Sequence, residues 1–317
     1  MVMLRSKKQR ILRPVRYWQP IANLPASSFG GAIELLDNGE LFLGTAYNGT
    51  TRTLPQSYDI ANNRYTELSI TGMNDSALYG FCKAADGKLL HLGGHDVSAN
   101  STTLTCFAYN QSTEESAALT SIPYGRRGAP CLRVGNLAHI FGGMDSSIVR
   151  EQVYTYDITN DTWSTNTLPA MPGARIYGGA AKYNNIIYYF GGQNTTTSPS
   201  YNTIFKIDLS EGTPTWSTLT TVMPTALSAF GLIEYKNKWA ILGGFCASTS
   251  DITDTLLIFD PETETFVNNT PYLGIKLPLA VCHFNCIALD EDIYIFGGRT
   301  SGGAMNVAYT HRARQMV

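Results

Sequence analysis

Short apolar runs recur along the chain, and each run is followed directly by two small residues, which are usually both glycine. Runs of three or four apolar residues, bounded by glycine and by polar segments, are typical of β-strands that are buried on both faces. Because the runs recur from residue 41 to residue 296, the pattern predicts an all-β fold. The runs cover residues 41–43, 89–92, 138–141, 187–190, 239–242 and 293–296.

The pairs of small residues that follow these runs are spaced almost evenly. Their first members are 49, 49, 49, 52 and 54 residues apart. A repeat of about 40–50 residues that contains several short strands is the sequence signature of a β-propeller. The pairs are Gly93-Gly94, Gly142-Gly143, Gly191-Gly192, Gly243-Gly244 and Gly297-Gly298, with Gly44-Thr45 as a degenerate first pair.

Two further features recur in register with the glycine pairs. The first is an aromatic residue followed by aspartate, and the second is a large aromatic residue six to eight positions later, which the second repeat lacks. Large rings can fill the wedge between twisted neighbouring blades. The aromatic-acid pairs are Tyr58-Asp59, Tyr156-Asp157 and Phe259-Asp260, with the variants Tyr109-Asn110 and Ile207-Asp208, and the spaced aromatics are Tyr65, Trp163, Trp216 and Phe266.

This combination resembles the kelch repeat, whose diagnostic positions are the glycine pair, the Tyr-Asp pair and the spaced tryptophan. The third repeat contains all three, at Gly142-Gly143, Tyr156-Asp157 and Trp163. The resemblance extends over about residues 16–311. It implies a kelch-type β-propeller with four-stranded blades.

The last repeat ends without a fourth strand, whereas an extra strand-like segment precedes the first repeat. Residues 16–20 precede Leu24-Pro25, which opens the first repeat, just as the spaced aromatic Trp163 precedes Met171-Pro172, which opens the fourth repeat. An unclosed propeller would expose strand edges, so we expect residues 16–20 to complete the C-terminal blade. The predicted organisation is a basic N-terminal arm at 1–13, a six-bladed propeller at 14–311 and a short basic tail at 312–317.

The net charge of −2 hides an uneven distribution of charge. The first 16 residues contain six basic and no acidic side chains, and Arg312 and Arg314 lie at the other end. The remaining chain has 15 basic and 25 acidic residues. The ends are therefore candidates for binding an acidic protein surface or nucleic acid, or are simply solvated. The arm contains Arg5, Lys7, Lys8, Arg10 and Arg13.

Nothing in the sequence indicates export or membrane insertion. The N-terminus lacks the apolar segment of a secretory signal, and no apolar run approaches the length of a membrane span. The six cysteines include no Cys-x-x-Cys motif and are typical of a reducing compartment. These features favour a cytoplasmic protein, and the low charged fraction of 15% with Asn-, Ser- and Thr-rich loops favours a component of a viral particle.

The sequence contains no recognisable catalytic or metal-binding motif. The five histidines occupy unrelated repeat positions, without His-x-His or His-Glu-x-x-His spacing. The chain has no phosphate-binding loop, no Gly-x-Ser-x-Gly motif and no cluster of paired carboxylates. Because the ligand motifs of kelch-like copper oxidases and iron lyases are absent as well, we expect no metal, no cofactor and no enzymatic activity.

The resemblance to kelch substrate adaptors implies a binding face built from two sets of loops at the channel mouth. One set follows each proline and corresponds to Ser28, Ala77, Arg126, Arg175, Leu227 and Val281, with Arg127 beside it and with Tyr79 and Tyr177 two positions later. The other set follows each glycine pair and consists of Tyr47, His95, Asp96, Asp145, Gln193, Asn194, Phe245 and Arg299.

This mixture of arginine, tyrosine, phenylalanine and amide side chains suits a peptide or a protein loop, because arginine pairs with carboxylates in two-pronged contacts. The main functional hypothesis is therefore a non-enzymatic interaction propeller that serves as a structural or adaptor subunit of a larger assembly, such as a virion or a phage tail. The alternatives are a carbohydrate-binding propeller, with aromatic loop residues stacking on sugars, and an isomerase or lyase.

Overall fold

A computed structural model describes residues 16–70, 76–195, 198–267 and 276–313. The described chain is built of strands, turns and irregular segments. The strands lie where the apolar runs predict them, and all pairings between them are antiparallel. The predicted all-β fold is confirmed.

The described part of the chain contains six four-stranded sheets, which we number as blades 1 to 6. Blade 1 contains Ile33–Leu35, Leu41–Leu43, Gln56–Asp59 and Arg64–Glu67, and blade 2 contains Gly80–Lys83, Leu89–Leu92, Cys106–Asn110 and Glu115–Leu119. Blade 3 contains Cys131–Val134, Leu137–Phe141, Val153–Asp157 and Thr162–Ser164, and blade 4 contains Gly179–Tyr183, Ile186–Phe190, Ile204–Asp208 and Trp216–Thr218. Blade 5 contains Gly231–Tyr235, Lys238–Leu242, Leu256–Asp260 and Thr265–Phe266.

Blade 6 combines the two ends of the described chain. Its strands Asn285–Leu289, Asp292–Phe296 and Ala308–Ala313 are followed in the sheet by Arg16–Pro20 from the N-terminus. This strand is antiparallel to Ala308–Ala313, and Trp18 stands opposite His311. The ring of Trp18 lies 5.2 Å from the imidazole of His311, measured between centroids. The N-terminal segment thus supplies the outer strand of the last sheet.

Six backbone hydrogen bonds form a closed ring that passes through every blade. Each bond, 2.7 or 2.8 Å long, joins a residue just before the first strand of one blade to its counterpart in the next blade. Every residue of this axial ring has a positive φ, between 53° and 69°. The ring runs from Gly30 through Leu78, Gly128, Tyr177, Ala229 and His283 back to Gly30.

The hydrophobic core of the described residues is divided into six clusters, one between each pair of neighbouring blades. The spaced aromatics belong to these clusters. The indole of Trp163 donates a hydrogen bond of 2.8 Å to the carbonyl of Thr120, in the segment that leaves blade 2. The indole of Trp216 donates in the same way to Pro169, also at 2.8 Å. In blades 3 and 4 the indoles therefore fasten the outer strand to the segment that leaves the preceding blade.

The register of the first repeat differs from the sequence prediction by one residue. In the later repeats the residue after the glycine pair bridges to the segment before the first strand, as His95 does with Ala77. In the first repeat Tyr47 makes this bridge, with Phe29, so Thr45-Ala46 rather than Gly44-Thr45 occupies the position of the glycine pair. The hydroxyl of Thr45 donates to the carbonyl of Ser76, 2.9 Å away.

Candidate ligand-binding site at the channel mouth

A short hairpin follows the small-residue pair of most blades, and these hairpins surround one end of the channel. Their strands are Ala46–Tyr47 with Arg52–Thr53, His95–Asp96 with Ser101–Thr102, Met144–Asp145 with Ile148–Val149, Phe245–Cys246 with Asp251–Ile252, and Arg299–Thr300 with Gly303–Ala304. In blade 4 a bridge between Gln193 and Ser200 takes the place of the hairpin. Both predicted sets of loop residues therefore belong to one face of the propeller.

The structure corrects the first predicted set in blade 2. Residues of this set precede the axial ring by two positions, as Arg126 precedes Gly128. The blade 2 ring residue is Leu78, so its counterpart is Ser76 and not Ala77. Tyr79 is likewise not the counterpart of Tyr177. Its side chain is buried, and its hydroxyl donates to the carbonyl of Thr45 at 3.0 Å.

Arg126 and Arg175 are enclosed by their own blades. Only 2% and 6% of their surfaces are exposed. The guanidinium of Arg126 lies 4.4 Å from the centre of the Tyr154 ring, and that of Arg175 lies 3.7 Å from the centre of the Tyr201 ring. Burial lowers the pKa of both groups. Cation–π contacts of this kind brace the loops from within, which leaves little of either arginine for a ligand.

A cavity of about 660 Å³ opens at the mouth between blades 4, 5 and 6. It gathers four residues of the predicted face and adds several that sequence reasoning missed. Cavities of this size are typical of sites for small molecules or for a few residues of a peptide. The predicted residues are Tyr177, Gln193, Phe245 and Arg299, and the additional ones include Asp251, Cys282, His283 and Thr300.

Tyr177 and His283 both stand on the axial ring where it borders this cavity. Their rings meet edge to face, with 4.7 Å between centroids and an interplanar angle of 90°. Large and small residues alternate around the axial ring of hydrogen bonds. The phenol group of Tyr177 covers Gly128, and a Cβ atom on residue 128 would lie 2.5 Å from that phenol group. His283 could have been found from the sequence, because it occupies the repeat position of Tyr177.

Two guanidinium groups lie near this aromatic pair. Arg127 donates from Nη1 to Nδ1 of His95, 3.2 Å away, and Arg299 is exposed at the edge of the cavity. Burial raises the pKa of the Tyr177 hydroxyl, and the nearby Arg127 partly opposes this effect. Among the described residues, neither arginine has a carboxylate within salt-bridge distance. Neither guanidinium is therefore neutralised by a direct ion pair, and the cavity also contains the carboxylate of Asp251.

Comparison with known proteins agrees with this architecture. The solved structure of YjhT superposes with a TM-score of 0.75 and 14% identity, covering 91% of this chain and 95% of that chain. Kelch-like protein 15 from Mus musculus is 26% identical over 194 residues, and the human protein is 26% identical over 197 residues. The chain is a kelch-repeat β-propeller. No family model matches it.

The relatives differ in length and in what their names say. The match covers 53% of this propeller but only 30% of Kelch-like protein 15. A second relative, the N-(sulfonatooxy)prop-2-enimidothioate sulfolyase of Thlaspi arvense, is 27% identical over 241 residues, which is 67% of each chain. The curated relatives thus include a kelch-like protein and a lyase.

The other predicted residues of the second set do not line the cavity, and most of them make local contacts. Asp145 forms an ion pair of 3.2 Å with Arg150, and Asp96 accepts a hydrogen bond from the amide of Ala99 at 2.8 Å. The Tyr47 hydroxyl donates to the carbonyl of Gly49 at 2.5 Å. The Asn194 side chain is exposed. The basic arm residues Arg5, Lys7, Lys8, Arg10 and Arg13 lie outside the described residues.

Gln193 supports the cavity wall rather than presenting a free amide. It is buried, its Nε2 donates to the carbonyl of Ser198 at 2.8 Å, and its Oε1 accepts from the Ser228 hydroxyl at 3.0 Å. In the ranges that the structure describes, no group of three or more His, Cys, Asp or Glu side chains could hold a metal ion. The same ranges contain no helix that is long and apolar enough to cross a bilayer.

Acid is expected to destabilise the propeller through the buried His139 and the half-buried His283. Burial, aided by Arg299, lowers the pKa of His283 from 6.5 to about 4, and burial lowers the pKa of His139 to about 4 as well. Between these values the unfolded chain binds more protons than the folded one. Stability is therefore complete above about pH 6.5, and we expect it to fall as the pH decreases to about 4.

His283→Asn isolates the contribution of the mouth histidine, because asparagine tolerates the left-handed backbone that residue 283 adopts. The urea midpoint of this variant, measured from pH 7 to pH 4, should depend less steeply on pH than that of the wild type. An unchanged slope would show that His283 does not titrate differently in the folded and unfolded states.

Proposed function

We propose that this kelch propeller is a non-enzymatic interaction module that binds an acidic segment of a partner protein at the channel mouth. The observation that carries the proposal is the mouth cavity. It combines an aromatic floor with the exposed guanidinium of Arg299, which has no carboxylate within salt-bridge distance among the described residues, and Arg127 lies near Tyr177 at its border. The name of the Kelch-like relatives is consistent with this role but does not specify a partner.

Each part of the cavity has a role in this proposal. Arg299 offers an exposed guanidinium, and Arg127 adds positive charge beside Tyr177. Both suit the carboxylate of an aspartate or glutamate. Phe245 and Tyr177 provide apolar surface for the carbon atoms of the segment. Arg126 and Arg175, which the sequence placed on this face, are left out because they are buried.

We also propose that the propeller acts as a structural or adaptor subunit of a larger assembly, such as a viral particle. The support is compositional. The ends of the chain are basic, while the rest has 15 basic and 25 acidic residues. The arm at residues 1–13 is suited to an acidic protein surface or to nucleic acid. A cytoplasmic location agrees with the six free cysteines of the described chain.

A second candidate is carbohydrate binding. Phe245, Tyr177 and Asp251 line the same cavity, and an aromatic face next to a carboxylate suits a sugar ring and its hydroxyls. The sulfolyase relative leaves room for a third candidate, a lyase or isomerase, in which His283 and Tyr177 are the titratable pair at the mouth.

The proposed function is tested by selecting ligands from a random peptide library displayed on phage. Selection on the wild type should enrich acidic sequences, and Arg299→Glu should weaken their binding by at least about tenfold, which corresponds to about 1.4 kcal/mol. The matched control is Arg64→Glu, which makes the same charge change at an exposed site on the outer strand of blade 1.

Enriched peptides without acidic residues, or acidic peptides that bind Arg299→Glu as tightly as the wild type, would contradict the proposal. A glycan array probed with the same three proteins separates the second candidate. Binding to sugars that is lost in Phe245→Ala, with no peptide enrichment, would favour carbohydrate recognition.

A further inference from the structure

A second cavity lies between blades 2 and 3, at the end of the propeller opposite the glycine pairs. Its volume is about 270 Å³. The position follows from the pairing register, because Leu89 pairs with Lys83 next to the turn at residues 84–88, whereas Leu92 lies at the other end of the strand, before Gly93. The cavity is thus separate from the channel mouth.

The cavity exists because blade 2 carries small residues on the face that meets blade 3. Ala84 lies two residues after Cys82, which pairs with Leu90. Residues at the same register in the other five blades are all larger. Those residues are Leu36, Val134, Tyr183, Tyr235 and Leu289.

The outer strand of blade 2 also carries a small residue on this face. Ala117 and Ala108, which pair with each other, line the cavity. The missing aromatic of the second repeat concerns the opposite face, because Ser116 stands opposite Tyr109, which packs in the cluster between blades 1 and 2. The cavity therefore follows from the alanines of blade 2 and not from the missing aromatic.

Blades 4 and 5 show what the fold accommodates at the position of Ala84. There the residue is a tyrosine whose hydroxyl reaches the following blade. Tyr183 donates to the carboxylate of Glu262 at 2.8 Å, and Tyr235 donates to the carbonyl of Glu291 at 3.3 Å. The architecture therefore accepts a phenol ring between two blades, and blade 2 leaves the equivalent space open.

The lining of the cavity suits such a ring. Leu90, Ala108 and Tyr156 are buried and form an apolar floor, and Ile158 adds a wall from blade 3. The rim is polar and of mixed charge, with Lys88 paired to Asp86 at 2.7 Å and with Glu115 nearby. Such a rim offers donors and acceptors to a hydroxyl group, and its two carboxylates against one ammonium group disfavour an anionic ligand.

We propose that the cavity between blades 2 and 3 binds a small neutral phenol, with the ring on the apolar floor and the hydroxyl at the polar rim. The volume is sufficient, since an apolar protein cavity of about 150 Å³ is large enough to hold benzene. The site is independent of the proposed function of the mouth.

The test uses p-cresol, the side-chain analogue of tyrosine, with the full-length protein. Titration followed by NMR should show saturable shifts of residues around the cavity, with a dissociation constant of about 1 mM or tighter. 4-Methylcyclohexanol, which has similar size but no aromatic ring, should bind at least about threefold more weakly. Arg299→Glu, at the distant mouth, should leave p-cresol binding unchanged.

Filling the cavity should abolish binding. Ala84→Tyr supplies the ring that blades 4 and 5 carry, and Ala117→Leu fills the space from the outer strand if the first variant fails to fold. We expect at least a tenfold loss of p-cresol affinity in a folded variant. Absence of saturable shifts in the wild type up to about 10 mM, or full binding to a folded Ala84→Tyr protein, would overturn the proposal.

Discussion

Gly142→Ala is expected to lower the free energy of unfolding by about 2–5 kcal/mol. Gly142 has a φ of 61°, where a residue with a Cβ atom pays about 1–2 kcal/mol. A Cβ atom at this position would also lie only 2.4 Å from the carbonyl oxygen of Arg175 and 3.0 Å from that of Arg150. Both contacts are with backbone, which cannot move aside cheaply, and overpacking adds about 1–3 kcal/mol.

Two other glycines separate these causes. Gly135 has nearly the same φ, 62°, but a Cβ atom there would meet nothing within 4 Å. Gly135→Ala should therefore cost only the conformational part, about 1–2 kcal/mol. Gly212 has open space and no positive φ, so Gly212→Ala should be neutral within about 0.5 kcal/mol.

Urea unfolding followed by tryptophan fluorescence measures all three variants. A Gly142→Ala protein as stable as Gly135→Ala would mean that the close approach of blades 3 and 4 is not needed for stability. The result applies to the other kelch repeats as well, because Gly191 and Gly243 approach the carbonyl oxygens of Leu227 and Val281 in the same way.

Deleting residues 1–20 is expected to abolish cooperative folding, whereas deleting residues 1–13 is expected to leave stability almost unchanged. The longer deletion removes the strand Arg16–Pro20 from blade 6 and exposes the edge of Ala308–Ala313. It also removes Trp18 from the cluster between blades 5 and 6. Loss of a fully buried tryptophan typically costs about 3–5 kcal/mol, and the partly buried Trp18 contributes less than this, so the lost strand pairing adds to the effect.

A circular permutant provides the matched control for the deletion. Arg16 stands opposite Ala313, so a short linker can join the C-terminal strand to residues 14–22 as a hairpin. This permutant should regain a single cooperative transition in thermal unfolding monitored by circular dichroism. A 1–20 deletion that unfolds like the full-length chain would show that the N-terminal strand is dispensable, and a permutant that stays unfolded would show that its covalent position matters.

The fold was predictable from the sequence because its determinants are local and repeat at a fixed interval. In the third repeat the determinants are the apolar run before Gly142-Gly143, the glycine pair itself and Trp163. They provide a buried strand, a left-handed exit from that strand and an aromatic ring between blades. Even the role of residues 16–20 followed from counting which unit lacked a strand. Local signals of this kind do not depend on the rest of the chain.

The register of the loops could not be read from the sequence. The sequence placed the first small-residue pair at Gly44-Thr45 and the blade 2 loop position at Ala77, whereas the structure has them at Thr45-Ala46 and Ser76. Each prediction was wrong by one residue because the loops differ in length and only the bridges between blades fix the alignment. A displacement of one residue turns a strand or loop side chain to the opposite side. For this reason Tyr79 was assigned to the mouth although its side chain is buried.

The sequence by itself therefore determined the all-β kelch architecture, the repeat boundaries and the loops that form the mouth. Only the tertiary structure decided which side chains those loops present. Burial and cation–π contacts withdrew Arg126 and Arg175, and the axial ring brought Tyr177 against His283, more than 100 residues away in the chain. Cavities arise where facing side chains are small, as at Ala84, and this depends on pairs of residues that meet only when neighbouring blades pack together.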